Sequence, residues 1–242
     1  MRISRLYLPQ ALAEGTVLRL DDESAHYLRT VLRLKKGADL TVFNGDGREY
    51  SAQVANVGRD EVRLEIGDGR TRDAESPLAA HIGLGISRGE RMDLAIQKAV
   101  ELGVARITPL FTEHCVVRLD DARRGNRRQH WQKVARSACE QCGRNHVPEV
   151  EEPAELRDWI VRQEGLRLFF DPHGAVGLKD LPPPEGCVSL LSGPEGGFAA
   201  AERLLAREAG FIPVRLGPRI LRTETAVLAA LSAIQALWGD LG

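Results

Sequence analysis

Apolar and polar positions alternate through the first part of the chain, then recur at helical spacing. Val17, Leu18 and Leu20 predict a short strand. Asp21 or Asp22 predicts the cap of a helix carrying Leu28, Val31 and Leu32, with Lys35 and Lys36 at its end and Gly37 just past it. Leu40, Val42 and Phe43 predict a strand, and Asn44-Gly45-Asp46-Gly47 predicts a hairpin turn, because Asn-Gly adopts positive φ at little cost. Tyr50, Ala52 and Val54 continue the pairing. After Gly58-Arg59-Asp60, the residues Val62, Leu64 and Ile66 alternate strictly. Short strands this closely spaced predict a compact β-barrel. Residues 67–77, GDGRTRDAESP, hold no large apolar side chain and read as a linker. The expected division is a barrel over 1–70, a linker over 71–77 and a second domain over 78–242.

In that second domain the period changes. Ile82, Leu84 and Ile86 predict a strand. Met92, Ala95, Ile96, Ala99 and Val100 predict a helix that Gly103 ends. Residues 104–111 predict a strand. Trp131, Val134, Ala135 and Ala138 mark another helix. Pro153 suits the first turn of a third, with Leu156, Trp159 and Ile160 on its apolar side. Residues 166–170 and 187–191 predict buried strands, 199–209 a helix closed by Gly210, 211–216 a strand and 223–238 a final helix. Strands alternating with helices predict an α/β domain with a mainly parallel sheet.

Charge alters this picture locally. The formal net charge over 242 residues is −1, which argues against a strongly basic nucleic-acid binder. Yet residues 86–144 carry 12 Lys or Arg against 7 Asp or Glu, a local +5. The most apolar run, 226–238, includes Ser232 and Gln235 and is short for a membrane span. The start carries no apolar run of signal-peptide length. Four cysteines without such a signal predict free thiols in a reducing, cytoplasmic setting.

Five segments carry candidate chemistry. Leu191-Ser192-Gly193-Pro194-Glu195-Gly196-Gly197-Phe198 joins a strand to a helix, where glycines admit a ligand and free N–H groups point outward; it is neither a Walker loop nor G-x-G-x-x-G. Residues 216–226, LGPRILRTETA, also join a strand to a helix, and polar groups at such strand ends are where open α/β sheets bind ligands. Thr223, Thr225 and Glu224 equally suit a helix cap. Arg88 and Arg91 precede a helix and are suited to phosphate or carboxylate. Arg123, Arg124, Arg127 and Arg128, with Lys133 and Arg136, form a basic run that suits phosphate contacts or a solvated face. Cys139-Glu140-Gln141-Cys142 suggests zinc, with His146, or His114 and Cys115, as further ligands, but the second half-site that structural zinc requires is missing.

In their order and spacing these segments resemble the RsmE family of 16S ribosomal RNA uridine-N3 methyltransferases, in the SPOUT (trefoil-knot) superfamily. The carriers are Ser87-Arg88-Gly89-Glu90-Arg91-Met92, Ile96-Gln97-Lys98, Glu101-Leu102-Gly103-Val104, Ile107-Thr108-Pro109-Leu110, the 139–144 block, Gly193-Pro194-Glu195-Gly196-Gly197 and 216–226. Phe170-Asp171-Pro172-His173 matches more loosely. The resemblance implies an N-terminal PUA-like RNA-binding β-barrel and a C-terminal knotted α/β methyltransferase domain. It also implies S-adenosylmethionine as methyl donor, no metal, a homodimer, and 16S rRNA or the small ribosomal subunit as partner, with no membrane. The implied target is N3 of one uridine, position 1498 in the usual rRNA numbering.

The implied cofactor residues are Phe170, His173, Gly193, Glu195, Gly196, Leu216, Gly217, Ile220, Leu221 and Thr225. Arg222 is the expected anion stabiliser, with Glu195 and Glu224 as acid/base candidates. Glu195 equally suits recognition of the cofactor's amine, and Glu224 a helix start. Arg88, Arg91, Arg123, Arg124, Arg127 and Arg128 are the expected RNA contacts. The alternatives are a non-catalytic RNA-binding protein, a tRNA or ribose methyltransferase, and a metabolic enzyme that binds phosphate at the glycine-rich loop.

Overall fold

The computed structural model describes residues 3–59, 61–72, 74–115 and 121–242, the last range without the side chains of 121–123. Asp60 of the expected turn, Asp73 of the expected linker and the Arg123 side chain lie outside it. Two compact units emerge, Met1–Glu75 with Cys139–Val147, and Ser76–Ala138 with Pro148–Gly242.

The first unit is a five-stranded sheet ordered β1 (Ser4–Tyr7), β3 (Asp39–Phe43), β4 (Arg48–Val57), β5 (Val62–Thr71) and β2 (Val17–Arg19). β1, absent from the expectations, runs parallel to β3. β3 and β4 pair antiparallel across the Asn-Gly turn. Along β5 the alternation holds, with Val62, Leu64 and Ile66 buried and Arg63 and Glu65 exposed.

β5 runs on through Thr71, into the stretch expected to be linker. Its partner is the start of β4, with Tyr50 opposite Gly69 and Arg48 opposite Thr71. A Cβ at Gly69 would sit 2.6 Å from the Tyr50 ring. Glycine keeps this pairing open, and the segment read as a linker because it holds no large apolar side chain.

Asp21 caps α1 (Asp22–Tyr27), its side chain accepting from Ser24 N at 2.7 Å. The helix then widens into a π turn, Leu28–Leu32, and stops at Arg33 in the left-handed region (φ 54°), well before Gly37. The extra residue in that turn rotates later positions. Leu28 stays buried, while Val31, expected in the core, is 59% exposed.

The second unit is a parallel sheet ordered β12 (Ile212–Val214), β10 (Leu166–Phe170), β11 (Cys187–Ser192), β6 (Ala79–Gly85), β7 (Val104–Phe111) and β8 (Glu149–Val150). β9 (Ala154–Glu155) also pairs with β7. The helices are α2 (Glu90–Glu101), α3 (Asp121–Cys142), α4 (Leu156–Ile160), α5 (Ala200–Glu208) and α6 (Thr223–Trp238), of which the last residues of α3 group with the barrel. Pro153 does not open the third helix as expected. Ala154 and Glu155 take extended backbone beside Leu110 and Phe111, and α4 starts only at Leu156.

β6 is buried on both faces from Ala80 to Gly85, as a parallel sheet covered by helices requires. A polar cluster lies within it. Trp159 Nε1 donates to Thr108 Oγ1 at 3.1 Å, Thr108 donates to Glu151, and His81 Nε2 lies 2.8 Å from the Thr108 hydroxyl. Burial first, then the Arg106 charge, hold the His81 pKa down to about 4, so it is neutral at pH 7.

Candidate functional site

Two polar constellations stand out, one in each unit. In the barrel unit, Cys139–Val147 carries the CxxC. Glu140 accepts from Tyr7 N at 2.9 Å and from the Tyr27 hydroxyl at 3.1 Å. Arg144 Nε donates to Glu75 at 2.9 Å. Asn145 accepts from Arg5 at 2.7 Å. Arg5 also pairs with Glu49, which is 1% exposed and takes a second arginine, Arg70, at 2.7 Å. Burial alone would raise the Glu49 carboxyl, but hydrogen bonds from Arg5 and Arg70 outweigh it and hold it below the usual carboxylate range.

Cys139 is buried, and its Sγ lies 3.5 Å from the His146 carbonyl. Burial pushes its thiol up to about 12. A thiol that stays protonated is a poor metal ligand or nucleophile. Among the described residues no group of three or more His, Cys, Asp or Glu gathers around a metal position. The CxxC is here part of a polar clasp on the barrel.

The second constellation lies at the carboxyl ends of β10, β11 and β12. A cleft of about 400 Å³ opens there between three loops that follow these strands, which is where open α/β sheets hold ligands. Phe170, Asp171 and Pro172 come from the first loop. Gly193, Pro194, Glu195, Gly197 and Phe198 come from the second, and residues 216–223 from the third. Gly85, at the end of β6, lets the second loop close on the sheet, since a Cβ there would fall 2.5 Å from Pro194 N. Gly217 has φ +79° and open space beside it, so the third loop presents bare backbone to the cleft. Phe170, Phe198, Val214, Leu216 and Leu221 give apolar walls.

Charge at the cleft is set by Glu195 and the arginines. Glu195 Oε1 accepts from Arg88 N and from the Arg91 guanidinium, both at 3.1 Å. Burial works to raise this carboxyl. Its own backbone N–H, Arg88, Arg91 and Ser87 win, so it lies below the usual range and is ionised. Arg222 is the N-cap residue of α6; its side chain is exposed and lines the cleft, as do Arg91 and Arg219. Glu224 does not line the cleft, and its Oε2 is buried with no hydrogen-bond partner among the described residues.

Of the expected cofactor residues, Phe170, Gly193, Glu195, Leu216, Gly217, Ile220 and Leu221 line the cleft, whereas His173, Gly196 and Thr225 do not. Gly196 backs onto His114. Its carbonyl lies 3.0 Å from His114 Nδ1, which must carry the proton because a carbonyl only accepts. Of the expected RNA contacts, Arg88 and Arg127 are exposed. Arg124 stacks its guanidinium 4.6 Å from the centre of the Phe111 ring. Arg128 donates to the Val150 carbonyl at 2.9 Å and pairs with Glu149 and Glu152. Asp171 and Arg203 also line the cleft, and sequence reasoning missed their roles. Asp171 stood inside a quoted motif without an assignment. Arg203 lies in a helix with no motif to mark it.

An open parallel α/β sheet with a glycine-walled cleft at its strand ends is the architecture of a ligand-binding α/β domain, here joined to a separate small barrel. Residues 74–235 match the RNA methyltransferase domain family and residues 20–67 the RNA methyltransferase PUA domain family. A ribosomal RNA small subunit methyltransferase E of Buchnera aphidicola is 39% identical, covering 99% of this chain and 98% of its own; that of Bacillus subtilis is 30% identical, covering 93% and 92%. A Neisseria gonorrhoeae enzyme of the same name, solved with S-adenosylmethionine bound, superposes with a TM-score of 0.93 at 40% identity over all of both chains. A Legionella pneumophila protein, also solved with that cofactor, gives 0.96 at 41% over all of both chains. The chain belongs to the ribosomal RNA small subunit methyltransferase E family, with the SPOUT trefoil-knot fold preceded by a PUA-like barrel.

Proposed function

We propose that this protein transfers a methyl group from S-adenosylmethionine to N3 of uridine 1498 in 16S rRNA. It acts as a cytoplasmic homodimer on the rRNA or the small ribosomal subunit. The observation that carries this reading is the cleft: apolar walls and bare glycine backbone inside, arginines at its edge. Such a mixture suits a flat nucleoside with a charged tail.

S-adenosylmethionine, when bound, supplies an electrophilic methyl group. Phe170, Val214, Leu216 and Leu221 offer the apolar lining an adenine ring needs, and Gly193, Gly197 and Gly217 let backbone groups approach it. Uridine N3 lies between two carbonyls and carries a proton. It becomes a nucleophile as that proton leaves, and negative charge then spreads over O2 and O4. Arg222, with a fixed charge at the cleft, stabilises that anion. Arg91, held by Glu195, is a second guanidinium lining the same cleft. Of the two acid/base candidates, Glu195 is the weaker base, because its charge is already spent on Arg91 and Arg88 N. Glu224, the other candidate, has an unpartnered Oε2 among the described residues, but that atom is buried and outside the cleft, so the proton acceptor is not assigned to it. Arg88 and Arg127, exposed in the same unit, are suited to phosphate contacts.

The test is primer extension on rRNA from a strain with and without the gene. Methyl on N3 blocks the Watson–Crick edge, so reverse transcription stops at that uridine when the gene is present and passes when it is deleted. A stop that persists in the deletion strain removes the assigned activity.

A further inference from the structure

We infer that Arg203 is a positioning residue for the cofactor cleft, bridging the loop after β10 to the loop after β11 so that one guanidinium sets their separation. The inference rests on the reading of this cleft as the S-adenosylmethionine site.

The geometry is specific. Asp171 opens the loop that follows β10, and its side chain is 2% exposed. Its carboxylate closes its own loop by accepting from His173 N at 2.9 Å. Its carbonyl accepts from Gly174 N, also at 2.9 Å. Arg203, from the first turns of α5, grips the same carboxylate with Nη1 at 3.1 and 3.2 Å. Its Nε donates 3.2 Å to the carbonyl of Phe198, the last residue of the second loop. Phe198 in turn stacks edge-on with Phe169 and fills the space against Gly193.

A planar fork with several donors does both jobs at once, which the point charge of a lysine does not. The pair also answers a problem that burial creates. A carboxylate out of water needs a partner, and among the described residues Arg203 supplies the cation. Both residues line the cleft, so the bridge forms part of its wall. The two loops follow different strands, and the ligand must meet both. Holding them at one spacing before binding lowers the ordering cost of binding.

Arg203→Lys and Arg203→Met separate positioning from charge compensation. Calorimetry with S-adenosylhomocysteine, thermal melting, and KM and kcat for S-adenosylmethionine are measured on each full-length variant. Arg203→Lys keeps a cation beside Asp171 and loses the Phe198 link. It is expected to melt close to the parent protein, yet bind S-adenosylhomocysteine about tenfold more weakly, or 1.4 kcal/mol, with KM raised and kcat nearly unchanged. Arg203→Met is expected to lose affinity and melting temperature together.

Parent-like affinity in Arg203→Lys overturns the proposal, as does a loss seen only in kcat. If the parent protein itself binds no S-adenosylhomocysteine, the assigned cofactor falls. The bridge is then judged by hydrogen exchange of the unliganded protein. Faster exchange of the Gly174 and Gly197 amides in Arg203→Lys, with the rest of the sheet unchanged, upholds it, and unchanged exchange at both sinks it.

Discussion

The two units each hold a carboxylate gripped by arginine, and the grips differ in kind. In the barrel unit Glu49 is 1% exposed, takes two arginines, and belongs to a network that also ties Arg5 to Asn145. At the cleft Glu195 is about a fifth exposed, takes one arginine with Ser87 and the backbone N–H groups of Arg88 and Glu195 itself, and lines a cavity. Both carboxyls lie below the usual range for the same physical reason, hydrogen bonds to the charged form outweighing burial. A closed network holds a fold together. A half-open one leaves its arginine facing a cavity, where charge is available to a reacting group.

The comparison breaks most sharply if Arg222 behaves like a barrel arginine. Arg222→Ala is expected to lower kcat by about two to three orders of magnitude, as removal of an anion-stabilising donor does. Melting temperature and S-adenosylhomocysteine affinity, by calorimetry, should stay near the parent values. Unchanged turnover would take Arg222 out of the proposed mechanism.

The converse variant is Glu49→Ala. It strips the carboxylate from nearly buried Arg5, leaving only neutral acceptors such as Asn145, and is expected to lower unfolding free energy by about 3 kcal/mol, measured by urea titration. Cofactor affinity should not change. A loss of affinity with intact stability would show the closed network to be functional.

The next effect is a pH dependence of stability. His81 has a folded pKa of about 4 against 6.5 unfolded. The folded state therefore binds fewer protons. The contribution is fully present above pH 6.5 and is lost as pH falls toward 4, for a total of up to about 3 kcal/mol. Glu49 and Glu195, both depressed below 4.5, contribute above that value and lose their share only in more acid solution. Urea midpoints at pH 7.5 and pH 4.5 should differ strongly in the parent protein and weakly in His81→Gln. An equal difference in both would remove His81 from that window.

The smallest change is expected on the exposed basic face. Arg127→Ala should leave kcat and stability alone and reduce the slope of log affinity against log salt for rRNA by about 1. A slope identical to the parent's would take Arg127 off the RNA surface.

Much of the architecture is legible residue by residue because burial leaves a period. Val62, Leu64 and Ile66 announce a strand with one wet face, and the buried strands that end at Phe170 and Ser192 read as apolar runs. The loops that follow them stand out because Gly193, Gly197 and Gly217 have no other use in such places. Misread segments share one cause, competition from a distant partner. Gly67 to Thr71 looks like linker until β4 pairs with it, and Pro153 looks like a helix start until β7 claims Ala154 and Glu155. Val31 lost its core position to a π turn that no local pattern marks.

By itself the sequence determined the α/β and barrel periods, the glycine-rich loops and, through the order of its motifs, the family resemblance. These depend on neighbours along the chain or on residue types that few positions tolerate. Only the tertiary structure decided that Cys139–Val147 groups with the barrel, that Glu195 is already occupied by Arg91, and that Arg203 reaches Asp171 across 32 positions of chain. Such pairings carry no period and no local propensity. They arise from where folding puts buried charge, which needs a partner wherever in the chain that partner lies.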